Sequence, residues 1–194
     1  MAYYKIIKYF TIAALLSILS GCIIFRENNI PAVEYKDLKS HLDKKIKIFI
    51  KWDFDFLPMP HSTTTYKDRE DLFKKVLEES DCCEIVKKRS EADVTLDGKS
   101  YDQRNPKRFI GWAISAVTLY IIPSWHEAKI FVTAKVSKGE KIYNYNIQDS
   151  FITAIWLPLV VATPFVYDLE KIERGVMENS YKTLILQIKK DGLF

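Results

Sequence analysis

The chain has 194 residues, 48% of them hydrophobic, and a formal net charge of +4 at pH 7. That length suits one domain around a single sizeable core. Taking Lys5 and Lys8 out of the formal +4 leaves +2 for the remainder, with both signs interspersed, so the charge pattern gives no case for nucleic-acid binding.

In chain order, the first signal lies at the amino terminus. Lys5 and Lys8 flank the start of an apolar run from Ile6 through Leu19, which leads into Leu19-Ser20-Gly21-Cys22. A positive segment, a short apolar segment and small residues before a cleavage point make a secretory signal. The run falls short of the roughly 20 residues that a bilayer-spanning helix needs. The tetrapeptide resembles the lipobox of bacterial lipoproteins, in which the cysteine receives a diacylglyceryl group, signal peptidase II cuts before it, and the new amino terminus is acylated. The resemblance implies that residues 1–21 are a signal peptide and that Cys22 opens the mature chain as its lipidation site. By the sorting rule of that class, an aspartate after the cysteine favours retention in the inner membrane. Ile23 stands there instead, which implies delivery to the outer membrane, facing the periplasm.

Residues 22–44 contain Pro31 and read as the acylated cysteine and a tether, with a helical turn around Leu38 to Leu42. There is no Pro-rich or Gly/Ser-rich stalk, so the folded part, residues 45–194, is expected close to its membrane. It opens with Ile46, Ile48, Ile50 and Trp52 on one face and Lys45, Lys47 and Lys51 on the other, the period-2 signature of a strand buried on one side. Thr65 and Asp68 form an acidic variant of a capping box, and Leu72, Phe73, Val76 and Leu77 recur at helical spacing up to Ser80. Glu84-Ile85-Val86 is a strand fragment, and Ala92 to Leu96 is a strand ending at Asp97-Gly98. Ala128, Ile130, Val132, Ala134 and Val136 alternate with other residues and run through a Lys138-Gly139 turn into 141–149, a β-hairpin. Leu169, Ile172, Val176, Tyr181, Leu184, Ile185 and Ile188 make one stripe of a long closing helix that ends at Asp191-Gly192. The order β-α-β-β-β-α predicts an α+β fold with a small, mainly antiparallel sheet and helices on one face.

Two uncharged excursions, 109–123 and 151–167, bracket the hairpin. As helices they would be short for a bilayer span, and Pro158 and Pro164 would break the second. They suit either a buried core or a surface that contacts a membrane or a partner protein. Trp112, Tyr120, Trp125, Trp156 and Tyr167 lie within the runs or at their ends, where amphipathic rings favour the headgroup level, and make up the candidate membrane-contact set. Lys107, Arg108, His126 and Lys129 flank the first run and could meet phosphates.

Chemical motifs are sparse. Ser124, His126 and Glu127 are adjacent in sequence, whereas triads are assembled from separate elements. Asp53 and Asp55 fit a strand with outward carboxylates, and His41 and His61 stand alone. Cys82 and Cys83 are neighbours, too close for the spacing of metal ligands, and are expected as one buried thiol and one exposed or intermolecular partner. No catalytic residue, metal site or cofactor is expected apart from the covalent lipid on Cys22. The sequence thus points to a non-enzymatic, lipid-anchored envelope module that contacts a membrane or an envelope protein. The alternative is a lipoprotein that carries a small apolar ligand such as a lipid or envelope precursor.

Overall fold

The computed structural model describes residues 21–39, 45–54, 66–104, 109–157, 159 and 169–194. Six strands are present: β1 (Gly21–Arg26), β2 (Ile46–Phe54), β3 (Cys83–Val86), β4 (Val94–Arg104), β5 (Ser124–Lys138) and β6 (Lys141–Trp156). Four helices accompany them: α1 (Tyr35–Leu38), α2 (Tyr66–Ser80), α3 (Phe109–Val117) and α4 (Leu169–Lys190), together with a short 3-10 turn at Arg89–Glu91. Pairing orders the strands β1-β6-β5-β4-β2-β3. The α+β class is therefore observed.

The sheet is mixed. β2 runs parallel to both β3 and β4, with Ile46 opposite Cys83 and Trp52 opposite Gly98. Parallel neighbours need a crossover rather than a tight turn, and the amphipathic α2 supplies it. The rest of the sheet is mostly antiparallel, as expected, and the parallel pairs are the addition that the strand-helix-strand order makes.

Contacts divide the chain into two compact units. Of the described residues, the first takes 21–26, 104, 109–128, 151–157, 159 and 169–172, and the second takes the rest of 27–103, 129–150 and 173–194. No change in composition marks where the chain passes from one unit to the other.

In the second unit, period-2 and period-3.6 patterns resolve into one core. Ile48 and Trp52 of β2, Val94 and Leu96 of β4, and Ile130, Val132 and Val136 of β5 are buried with Phe73, Val76 and Leu77 of α2. The stripe of α4 contributes Val176, Tyr181, Leu184, Ile185 and Ile188, all fully buried. At the centre, the rings of Trp52, Phe73 and Tyr181 lie 4.2, 5.4 and 5.2 Å apart in pairs, two of the three pairs edge to face. Such geometry sets the positive ring edge against the negative face. The buried polar tips share one partner: the Trp52 indole N–H donates to Ser100 Oγ at 3.2 Å, and the Tyr181 hydroxyl lies 3.4 Å from the same oxygen.

Gly98 does not end β4, which continues to Arg104. A Cβ at this position would overlap the six-membered ring of Trp52, so glycine is here because an indole lies across bare backbone. α4 ends in a Schellman arrangement, with Leu193 N–H donating to Ile188 O at 3.2 Å and Gly192 N–H to Lys189 O at 3.0 Å.

In the first unit, Gly21–Arg26, expected as the start of a tether, is a strand paired antiparallel with β6, placing Cys22 opposite Ile155 and Gly21 opposite Trp156. The helical turn of the tether falls at Tyr35–Leu38, with Leu38 buried. The hairpin is longer than its alternation suggested: Phe151–Trp156, read as the opening of an apolar excursion, extends β6. A strand with apolar residues on both faces loses the alternation that identifies it.

Two substitutions in the core test these contacts. Gly98→Ala should cost about 1–3 kcal/mol by overpacking against Trp52. Phe73→Ala should cost about 3–5 kcal/mol. Both are read as shifts in the urea midpoint at constant slope, and a neutral Gly98→Ala would contradict the close approach.

Candidate apolar surface

Helix α3 is an unusual aqueous-surface helix because its polarity is reversed. Ser115 is fully buried, while Ile110, Ile114 and Val117, spaced along one stripe, face outward, Val117 with 85% of its surface exposed. An ordinary surface helix does the opposite. Also exposed in this unit are Leu119, Ile121 and Ile122 in the following turn, Phe25 of β1, Trp125 of β5 and Trp156 of β6. Among the described residues, every exposed large apolar side chain except Ile142 belongs to the first unit. Each such group left in water forgoes about 1.5–3 kcal/mol relative to burial, and single monomers rarely keep a contiguous patch of this kind without a use.

The turn after α3 is held in one conformation. Leu119 and Tyr120 both have positive φ, 51° and 61°, a region that residues with a Cβ avoid. The Ser115 hydroxyl donates to Ile122 O at 2.7 Å, and Tyr120 N–H donates to Ser115 O at 2.7 Å. From the strand side, Leu157 N–H donates to Tyr120 O at 2.8 Å and the Trp156 indole N–H to Ile121 O at 3.0 Å. The strained residues are thereby fixed by neighbours on both sides.

The predicted contact residues are placed as follows. Trp112, Trp125 and Trp156 are exposed and Tyr120 is half-buried, all in the first unit. Tyr167, Lys107 and Arg108 lie outside the described residues. The aliphatic stripe Ile110, Ile114 and Val117 was not singled out from the sequence. Its signal is the placement of Ser115 and Thr118, the only Ser and Thr from 109 to 122, three apart and hence toward one side of the helix.

The weaker chemical candidates are placed as follows. Ser124 and His126 point to one side of β5 and Glu127 to the other, so the tetrapeptide does not assemble as a triad. Asp53 is exposed beside Lys51 at 3.4 Å, while Asp55, His41 and His61 lie outside the described residues. Cys82 and Cys83 are both buried free thiols, which corrects the expectation of one exposed member. A hydrogen bond from Cys83 lowers the Cys82 thiol, and that bond together with burial pushes Cys83 well above the ordinary range. The buried Arg69 of α2 donates to Asp102 of β4 at 2.7 Å and lies 3.5 Å from Glu173 of α4, an ion cluster inside the second unit.

No protein-family model matches the chain, and no curated protein matches it. No helix among the described residues is long and apolar enough to cross a membrane.

A pair of substitutions separates the two sides of α3. Ser115→Ala leaves the Ile122 carbonyl without its donor and should cost about 1–3 kcal/mol. Val117→Ser, on the outward side, should stay within about 0.5 kcal/mol in aqueous buffer. Thermal unfolding of both checks the orientation; equal losses would contradict it.

Proposed function

We propose that the chain is a lipid-anchored lipoprotein of the bacterial envelope, serving as a non-catalytic accessory or scaffolding module. The observation that carries this reading is Leu19-Ser20-Gly21-Cys22 behind a short apolar run with Lys5 and Lys8. Acylation at Cys22 attaches the chain through its own lipid, since a diacylglyceryl group with an amide-linked chain supplies the two signals that stable anchoring needs. Ile23 in place of aspartate favours the outer membrane, facing the periplasm. The non-catalytic role is supported by the strand alternation that separates Ser124 and His126 from Glu127, and by the paired state of the Arg69 and Asp102 charges in the second unit.

Carriage of a small apolar ligand is the less favoured reading, because Ile110, Ile114 and Val117 of α3 are exposed. That reading requires lipid retained after mild extraction.

Labelled fatty acid supplied to cells producing the full chain should be incorporated into the wild type and lost in Cys22→Ser. Mass spectrometry of the amino-terminal peptide should find Cys22 first, with its acyl chains. Label retained on Cys22→Ser, or an unmodified Cys22 in the wild type, would overturn the assignment.

A further inference from the structure

We infer that α3 and the turn after it form a monotopic insertion element, seated within one leaflet of a lipid bilayer. For the choice of leaflet alone, this rests on Cys22 as the lipid carrier. The element has an outward apolar stripe, an inward Ser115 and no Asp, Glu, Lys or Arg from Phe109 to Trp125. Apolar exposure alone fits a protein partner equally well. The backbone of the turn distinguishes the two.

Hydrocarbon offers no hydrogen bonds, so irregular backbone survives there only when its polar groups are satisfied from within. The turn meets this condition at every N–H and at the carbonyls of Thr118, Tyr120, Ile121 and Ile122. Every peptide N–H from Thr118 to Ile122 has an internal acceptor: Thr118 to Ile114 O, Leu119 to Ala116 O, Tyr120 to Ser115 O, Ile121 to Thr118 O, and Ile122 to Thr118 Oγ1 at 3.4 Å. Pro123 has no N–H to satisfy. The carbonyls of Tyr120, Ile121 and Ile122 accept from Leu157 N–H, the Trp156 indole and the Ser115 hydroxyl. An exposed aqueous turn has water for these groups and gains little from such closure. A protein-docking surface keeps polar groups available, at about one hydrogen bond per 100–200 Å² of interface. A turn that shows apolar side chains outward and closes all its N–H groups and most of its carbonyls inward is suited to lipid.

Dimensions set the depth. Nine residues of α3 rise about 13–14 Å at 1.5 Å per residue, less than half of the roughly 30 Å hydrocarbon core, so the element dips and does not cross. Trp125 and Trp156 lie on neighbouring strands of the same unit, where their indoles suit the headgroup boundary. Cys22 sits on β1 in that unit, so its acyl chains and the insertion element engage one bilayer together, the first raising the local concentration for the second.

The test uses the full, processed protein reconstituted in vesicles of phosphatidylethanolamine and phosphatidylglycerol, with and without bromine on the lipid acyl chains. The protein has four tryptophans, and buried Trp52 in the second unit is the internal control. Brominated lipid should remove most of the emission beyond that of Trp52, whereas the variant Trp112→Phe/Trp125→Phe/Trp156→Phe should be unchanged. Trp125→Phe/Trp156→Phe, which keeps Trp112 on α3, should still be quenched. Val117→Asp, a change at an outward position that leaves the core alone, should relieve the quenching. Emission indifferent to bromine while the protein floats with the vesicles would overturn the inference. So would an unquenched protein that keeps a stoichiometric integral membrane protein through detergent extraction. Quenching of a chain without acyl mass on Cys22 supports insertion and defeats the lipoprotein reading. An acylated but unquenched chain does the reverse.

Discussion

The indole of Trp52 lying across the bare backbone of Gly98 is the contact around which the second unit is arranged. It fixes the register of β2 against β4, because the ring and the residue without a side chain must be opposite each other. It also brings Ser100, two residues along, under both the Trp52 and Tyr181 polar tips, so one hydroxyl serves two buried donors. Phe73 from α2 and Tyr181 from α4 complete the cluster, and through them helices distant in sequence pack against one pair of parallel strands. Burial of this aromatic area contributes the non-directional part of stability, and edge-to-face geometry and shared hydrogen bonding narrow the packing to one arrangement.

In the first unit α3 and its turn follow the opposite logic. Ser115 is turned inward and large aliphatic side chains outward, over a strained backbone held by β6. Such an arrangement is costly in water and economical against hydrocarbon. On the proposed reading the two units differ in the solvent for which they are built: the second has an ordinary core of strand and helix, and the first exposes apolar side chains suited to a bilayer. A lipid on Cys22, as proposed, would supply that second solvent, and the described helices include none both long and apolar enough to span.

How much of this could be read in advance depended on polarity contrast. β2, the body of the hairpin, α2 and α4 alternate apolar with charged residues, and their periods of 2 and 3.6 survive into the structure. Where charge is absent the signal fades: Phe151–Trp156 continues β6 without alternation, and Gly21–Arg26 is too short to be told from a tether. Gly98 carried the ordinary meaning of a turn, since its large partner Trp52 is far away in sequence. In the apolar surface, the tryptophans were legible as amphipathic rings. The aliphatic stripe was not, because the outward side of a helix is defined by what the inward side packs on. Closure of the peptide groups in the turn arises from Trp156, Leu157 and Ser115 together, and no local pattern encodes it.

The most direct measurement is the environment of one outward residue in each unit. Nitroxide labels at Val117→Cys and Ile142→Cys, in the processed protein on vesicles, can be compared for collision with molecular oxygen, which concentrates in hydrocarbon, and with a water-soluble nickel chelate. Both native side chains are exposed, so neither label disturbs a core. The label at 117 should favour oxygen and the label at 142 the chelate. If both favour the chelate to the same degree, the apolar surface of the first unit does not lie in a bilayer, and the division of the chain between two solvents is wrong.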